Sequence, residues 1–295
     1  SIYSTIKTLD FEIIVVDNGS IDRSCEMVRK DFPKVMLIEN KINIGFPKAN
    51  NMAIRKTDGR FILLLNSDTV LLEDAVEKMV SFLDTHTFVG IVGPQVIGQN
   101  GSIQYTCARS FPRYFELFCD LFLINRIFNP KGFLKNTPIF HGDYKKSRYV
   151  ECLSGCCMLL RRKDLEILGL LDESQLMYYE DIELCHRFTY NRLPCYYLSE
   201  ARIVHLCGRS SAKIEDKDDP AFSLILTYEG YCKFFKRKYG FLGEILLRII
   251  VILGSIFRMM VAKIGFFCLP KKYSQRANFI FIRYFNLIQW AFRPI

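Results

Sequence analysis

Two apolar runs constrain this chain most: Phe11–Val16 (FEIIVV) and Phe61–Leu65 (FILLL). Each is the length of a strand and rich in β-branched or aliphatic residues, the composition of strands buried on both faces of a parallel sheet. Each also ends in a polar cluster, Asp17-Asn18-Gly19-Ser20 after the first and Asn66-Ser67-Asp68 after the second. Between and beyond them the pattern alternates. Ser20 is expected to cap a helix over Ile21–Lys30. A strand follows at Val35–Glu39, then helices at Lys48–Lys56 and Glu73–Leu83 and a strand at Val89–Gly93. This alternation implies an α/β fold with a mixed, mostly parallel sheet flanked by helices.

The second half is less regular. Residues 100–148 are aromatic-rich and read as a loop region with short helices. A strand pair is expected within Tyr149–Leu160 and a helix over Lys163–Gly169. A further helix opens at Met177-Tyr178-Tyr179-Glu180-Asp181 and runs to Tyr190. Short strands at Cys195–Leu198 and Ala201–Val204 bring the chain to His205. The acidic stretch Asp216–Asp219 suggests a boundary, with a catalytic domain over 1–215 and a helical region over 216–295.

Charge separates the same two regions. The whole chain carries +9, but from Tyr231 onward 12 Lys/Arg face a single acid, Glu244, so residues 1–230 carry −2. The basic residues of the tail alternate with long apolar runs, which favours an anionic membrane surface over nucleic acid. Within Gly243–Cys268 the longest charge-free stretch, Ile249–Phe257, is nine residues, against about 20 for a bilayer span. Amphipathic helices lying in the membrane plane are therefore expected, with Phe281, Tyr284 and Trp290 at the interface. An ordinary helical subdomain is the plainer alternative. The eleven cysteines have no disulfide-framework spacing and no signal-peptide pattern precedes them. That fits a reduced, cytoplasmic setting, on the inner face of the membrane, with Cys152, Cys156 and Cys157 as core residues.

Ligands of open α/β sheets sit beyond the carboxyl ends of the strands, where both polar clusters fall. Asp17 and Asn18 can hydrogen-bond a nucleoside, although Asp-Asn-Gly-Ser is also ordinary turn chemistry. Asn66, Ser67 and Asp68 stand where a diphosphate and a divalent cation would be held, although the same residues can cap a helix. Glu180 and Asp181 are placed to act as a general base, or are simply two acids in a first helical turn. His205 becomes a metal ligand only alongside Asp68, and Arg209 with its Gly/Ser neighbours can approach a diphosphate.

Taken in order, FEIIVVDNGSID, NINIGFPKANN, GRFILLLNSDT, ECLSGCCMLLRR, GLLDESQLMYYEDIELCHR and ARIVHLCGRSS resemble the family 2 glycosyltransferases, and most closely their bacterial rhamnosyltransferase-type branch. The resemblance covers nearly all of residues 1–211. It implies the GT-A fold, with donor contacts from Asp17, Asn43, Gly45 and Asn50. Asp68 matches the last Asp of the family's Asp-x-Asp motif, and His205 completes metal or diphosphate binding. Asp181 matches the catalytic base with Glu180 beside it, and Ser154-Gly155 match the acceptor side.

The implied activity is inverting transfer of a sugar from a dTDP- or UDP-sugar, with Mg²⁺ or Mn²⁺, to a saccharide or lipid-linked acceptor in cell-surface polysaccharide synthesis. Two departures stand out. Asn66 replaces the first Asp of the motif, and the family's first strand, with its share of the nucleotide pocket, is expected to be absent from this sequence. A nucleotidyltransferase and a degenerate nucleotide-sugar-binding chain are the alternatives.

Overall fold

A computed structural model describes residues 1–124, 143–206, 221–268 and 274–293. They form two compact units, 1–110 with 143–206, and 111–124 with 221–268 and 274–293.

In the first unit a single turn, α1 (Ile2–Thr5), precedes β1 (Ile14–Asn18), α2 (Ser24–Asp31), β2 (Met36–Asn40) and α3 (Phe46–Ile54). β1 and β2 pair in parallel from Ile14↔Met36 to Asn18↔Asn40. Helix α2 starts later than the expected Ile21. The Asp17 carboxylate takes the Gly19 and Ser20 N–H groups into a turn, and Asp22 takes the N–H of Ser24. Ser20 is thus a turn residue rather than a cap.

The remaining strands are β3 (Phe61–Leu65), β4 (Thr69–Leu71), β5 (Ile91–Ile97), β6 (Ala108–Arg109), β7 (Arg148–Val150), β8 (Cys152–Leu153), β9 (Cys157–Arg161) and β10 (Cys195–His205). The six-stranded sheet has the order β3-β9-β5-β10-β4, with β7 also on β10, while β6 and β8 pair separately. Its helices are α4 (Ala75–Thr85), α6 (Arg162–Leu168) and α7 (Glu180–Tyr190), while α5 (Tyr114–Leu121) belongs to the second unit.

The sheet is mixed, as expected, but parallel pairing does not dominate it. β9 inserts antiparallel between β3 and β5, and β4 and β7 oppose β10, which leaves β5–β10 as its parallel ladder. The core follows from that insertion. β9 is buried throughout, whereas β3 buries only Ile62 and Leu64 and β1 is half-buried along its length. The two apolar runs expected to be covered on both faces are therefore covered less fully than the strand between. The two short strands expected after Leu193 are one strand, β10, with an irregularity between Leu198 and Arg202. The described cysteines are free thiols, and Cys152, Cys156 and Cys157 lie in the core.

Asn51 ties the first half of the unit to the loop that leads into α7. At 1% exposure, its amide donates to Leu171 O (2.9 Å) and Glu173 Oε1 (2.8 Å), and its carbonyl accepts from Leu171 N (3.0 Å).

The second unit comprises α5 (Tyr114–Leu121), α8 (Phe222–Cys268) and α9 (Ser274–Ala291). α8 consists of two helical stretches that meet at a kink at Gly240, whose φ is +72°. α9 runs back along it, with Arg248 bonded to Ala291 O and Arg258 over the Tyr284 ring. Gly254 lets α5 approach, since a Cβ there would lie 2.5 Å from Leu121 Cβ. Trp290 is not an interfacial residue. It is 3% exposed, and its indole N–H donates to Glu229 Oε1 at 2.9 Å, the partner a buried indole requires.

Replacing Asn51 by Leu strands the Leu171 N–H and C=O in the core. The expected loss is about 2 kcal/mol of unfolding free energy, read from denaturant melts. An unchanged midpoint would contradict the tie.

Candidate active site

The carboxyl ends of β1 and β2 carry the first polar network. Asp17 Oδ2 accepts from Ser20 N (2.9 Å) and Gly19 N (3.2 Å). Burial raises the Asp17 carboxyl, but hydrogen bonds from the Ser20 hydroxyl and amide, the Cys25 thiol and the Gly19 amide outweigh it and hold the pKa below the ordinary value. Asn18 donates to Asn43 Oδ1 (2.8 Å) and accepts from Asn40 Nδ2 and Ile44 N (both 3.2 Å), while Asn43 Oδ1 also accepts from Gly45 N at 2.9 Å. Gly45 is required here. Its φ is +91°, and a Cβ would meet the Leu176 backbone at 3.0 Å. Phe46 N–H donates to Leu176 O at 2.8 Å, so this rim abuts the loop before α7. Asn50 is not in the network, because its amide donates back to Phe46 O within α3.

The second cluster forms where β4 and β10 pair. Asp68 is 8% exposed, and its Oδ1 lies 3.2 Å from His205 Nε2. Gln104 holds the imidazole from behind. Its Nε2 donates to His205 O (2.8 Å), which turns Oε1 toward Nδ1 at 3.2 Å. Gln104 thus engages His205 at both its carbonyl and Nδ1, and Nε2 faces the Asp68 carboxylate.

The chemistry of the pair suits a divalent ion. A carboxylate oxygen and an imidazole nitrogen are donors such an ion accepts, and Asp68 and His205 would hold it. Among the described residues no group of three or more His, Cys, Asp or Glu forms a metal cluster. Asn66 N–H donates to Cys156 O at 3.0 Å, Ser67 is exposed, and Arg209 lies outside the described residues.

The third cluster opens α7. Asp181 Oδ2 accepts from Arg109 Nη2 (2.8 Å) and Gly155 N (3.4 Å), and Oδ1 from Ile182 N at 2.8 Å. Glu180 Oε2 accepts from Tyr179 N at 3.0 Å, and a Cβ on Gly155 would lie 3.8 Å from Oε1. Burial, followed by the neighbouring Asp181 charge, pushes Glu180 up from an ordinary 4.5 to about 7. That is a pair of carboxyls in different environments, one bound to a cation and one tuned near neutrality.

The turn Ser154–Cys156 joins the last two clusters, through Cys156 O to Asn66 and Gly155 N to Asp181. Ser154 N–H donates to Cys107 O at 3.3 Å, two residues before Arg109. Sequence reasoning missed Arg109 and Gln104. Both lie in the stretch 100–148 that has no periodicity to read, and each meets its partner from 72 and 101 residues away.

The family model for glycosyl transferase family 2 matches residues 1–169. The chain belongs to that family. It is 26% identical over 195 residues to the low-salt glycan biosynthesis hexosyltransferase Agl10 of Haloferax volcanii, covering 63% of this chain and 56% of that protein's length. Similarity to the N-acetylglucosaminyl-diphospho-decaprenol L-rhamnosyltransferase of Mycobacterium tuberculosis is 23% over 223 residues, 72% of this chain and 70% of the relative. The dTDP-rhamnosyl transferase RfbF of Shigella flexneri is 22% identical over 231 residues, 77% of this chain and 71% of its own.

The raised Glu180 gives a test that needs no substrate. Below about pH 4.5 the carboxyl is protonated in both folded and unfolded chains. From there to about pH 7 the unfolded chain ionises first, so stability falls as pH rises and stays lower above. Glu180→Gln is expected to melt higher than the parent at pH 8, with the gap closing by pH 4. Equal melting temperatures at both pH values would contradict a raised carboxyl.

Proposed function

We propose that this chain is an inverting nucleotide-sugar glycosyltransferase. It moves a hexosyl group, with rhamnose the first candidate, from a dTDP- or UDP-activated donor to a saccharide or lipid-linked acceptor in cell-surface polysaccharide synthesis. Family membership and the sugar-transfer activities named for the three relatives support the reaction class. The observation that carries the reading is the turn Gly155–Cys156, which bonds Asn66, two residues before Asp68, through Cys156 O and bonds Asp181 through Gly155 N.

Asp17, Asn18, Asn43 and Gly45 form the nucleoside side, and Asn66 and Ser67 flank the diphosphate, with Asn50 assigned to the donor by resemblance and Arg209 by its charge beside a Gly/Ser run. Asp68 and His205 would hold Mg²⁺ or Mn²⁺, which when bound neutralises charge developing on the leaving diphosphate. The acceptor hydroxyl oxygen bonds to the anomeric carbon from the face opposite the diphosphate. The bond from that carbon to the diphosphate oxygen breaks, and its electron pair leaves with the nucleoside diphosphate. The hydroxyl proton passes to the Glu180–Asp181 pair. Arg109 fixes the Asp181 carboxylate, and Gly155 leaves room above both acids for the acceptor. The basic helices hold the enzyme at an anionic membrane on its cytoplasmic side.

Two outcomes test this. With dTDP-rhamnose or a UDP-sugar and a membrane extract as acceptor, the released product is a nucleoside diphosphate. Pyrophosphate would indicate nucleotidyl transfer, and donor binding without turnover a degenerate chain. Asp181→Asn is expected to lower kcat at least about 10²-fold with unchanged donor affinity, and equal loss of both would argue against a base.

The pair also sets the pH profile. Activity requires the ionised form, so kcat should fall about tenfold per pH unit below the apparent pKa near 7. Glu180→Gln removes that limb. Retention of the limb in Glu180→Gln would move it to another group.

A second expectation concerns the imidazole. Gln104→Leu is expected to weaken Mn²⁺ binding in the presence of UDP about 10- to 100-fold, by calorimetry, while leaving the melting temperature near that of the parent.

A further inference from the structure

Between Phe241 and Val261 the second unit turns its charge inward and its hydrocarbon outward. Every exposed residue in that span is apolar. Leu242, Leu246, Ile249, Leu253, Ile256 and Met260 follow one another at alternating steps of four and three, which places them in one stripe along α8. At 1.5 Å per residue the stripe is about 27 Å long, close to the roughly 30 Å of a bilayer's hydrocarbon layer.

The ionisable groups that break this sequence into short apolar runs do not break the surface. Glu244, 4% exposed, is bound by Arg248 at 2.9 Å and Lys236 at 3.2 Å. Arg248 also donates to Ala291 O (3.0 Å) and Arg293 O (2.9 Å) at the end of α9. Arg258, 9% exposed, donates to Leu121 O at 2.7 Å and to Asp120 O in α5. These three charges interrupt the apolar run along the chain but are satisfied inside the unit. α9 adds exposed Phe279, Ile282 and Phe285.

Exposed cations stand at the ends instead: Lys236, Arg237 and Lys238 before the stripe, Lys263 and Arg276 beyond it. A second copy is the poorer occupant of this face. Each chain carries +11 from Tyr231 onward, so two stripes would meet against like charge, whereas anionic headgroups complement the basic ends.

We propose that α8 and α9 form a helical hairpin inserted into the hydrocarbon layer of an anionic phospholipid bilayer, with the α8 stripe facing the acyl chains. This goes beyond adsorption to headgroups and is independent of the transfer reaction.

The test uses the full chain and vesicles of phosphatidylcholine with about one third phosphatidylglycerol. Bound protein is expected to stay with floated vesicles after 1 M NaCl and after alkaline carbonate, and to need detergent for release. Release by salt alone would overturn insertion. A chain that ignores vesicles but oligomerises through the stripe would overturn it too. Leu253→Trp supplies a conservative probe, because the chain's single tryptophan, Trp290, is buried. Emission from the new indole is expected to be quenched at least about twofold more by lipids brominated deep in the acyl chain than by aqueous acrylamide. The reverse order would place the stripe in water and end the proposal.

Discussion

The site depends on one turn. Ser154, Gly155 and Cys156 stand at the head of β9, the strand that inserts antiparallel between β3 and β5. Because β9 runs against its neighbours, the turn preceding it meets the carboxyl end of β3. Cys156 O takes the N–H of Asn66, and Gly155 presents its own N–H to Asp181. An all-parallel sheet would place the start of β9 at the opposite edge. The antiparallel insertion is therefore what allows residues near position 68 and residues near position 181 to share a rim.

In the proposed reaction the two charge arrangements take different tasks. At the Asp68–His205 contact a carboxylate oxygen lies 3.2 Å from Nε2, and Gln104 engages the same histidine from its other side. The Glu180–Asp181 pair is a site for one proton. Arg109 and backbone N–H groups engage Asp181, while Glu180 has burial and a like charge against it. A reaction that expels a diphosphate and deprotonates a hydroxyl needs both, close together and chemically distinct.

Much of this was legible in the sequence because it is local. Strand β3 matched residue for residue, Asp17, Asp68 and His205 stood out as candidates at the ends of apolar runs, and Glu180 as one in a first helical turn. Burial was less legible. FEIIVV and FILLL read as fully covered strands, but coverage depends on neighbours, and FILLL has only β9 beside it among the described residues. Arg109 and Gln104 carry no local pattern, and their roles exist only once β10 and α7 have folded against them. Trp290 misled for a related reason. An indole near a chain's basic end resembles an interfacial anchor, yet Glu229, 61 residues earlier, supplies an acceptor inside the unit. Glu244, Arg248 and Arg258 show the same limit: charge counted along the sequence differs from charge presented at the surface.

The central claim is that the Asp68–His205 contact and the Glu180–Asp181 pair act on one bound sugar diphosphate. Carbon-13 spectra of glutamate-labelled protein, recorded with UDP and increasing Mn²⁺, test it directly. The carboxyl resonance that titrates near pH 7 is expected to broaden as Mn²⁺ binds and to stay sharp in Asp68→Asn at the same concentrations. Saturable Mn²⁺ binding that leaves that resonance untouched would put the two clusters on separate ligands and contradict the claim.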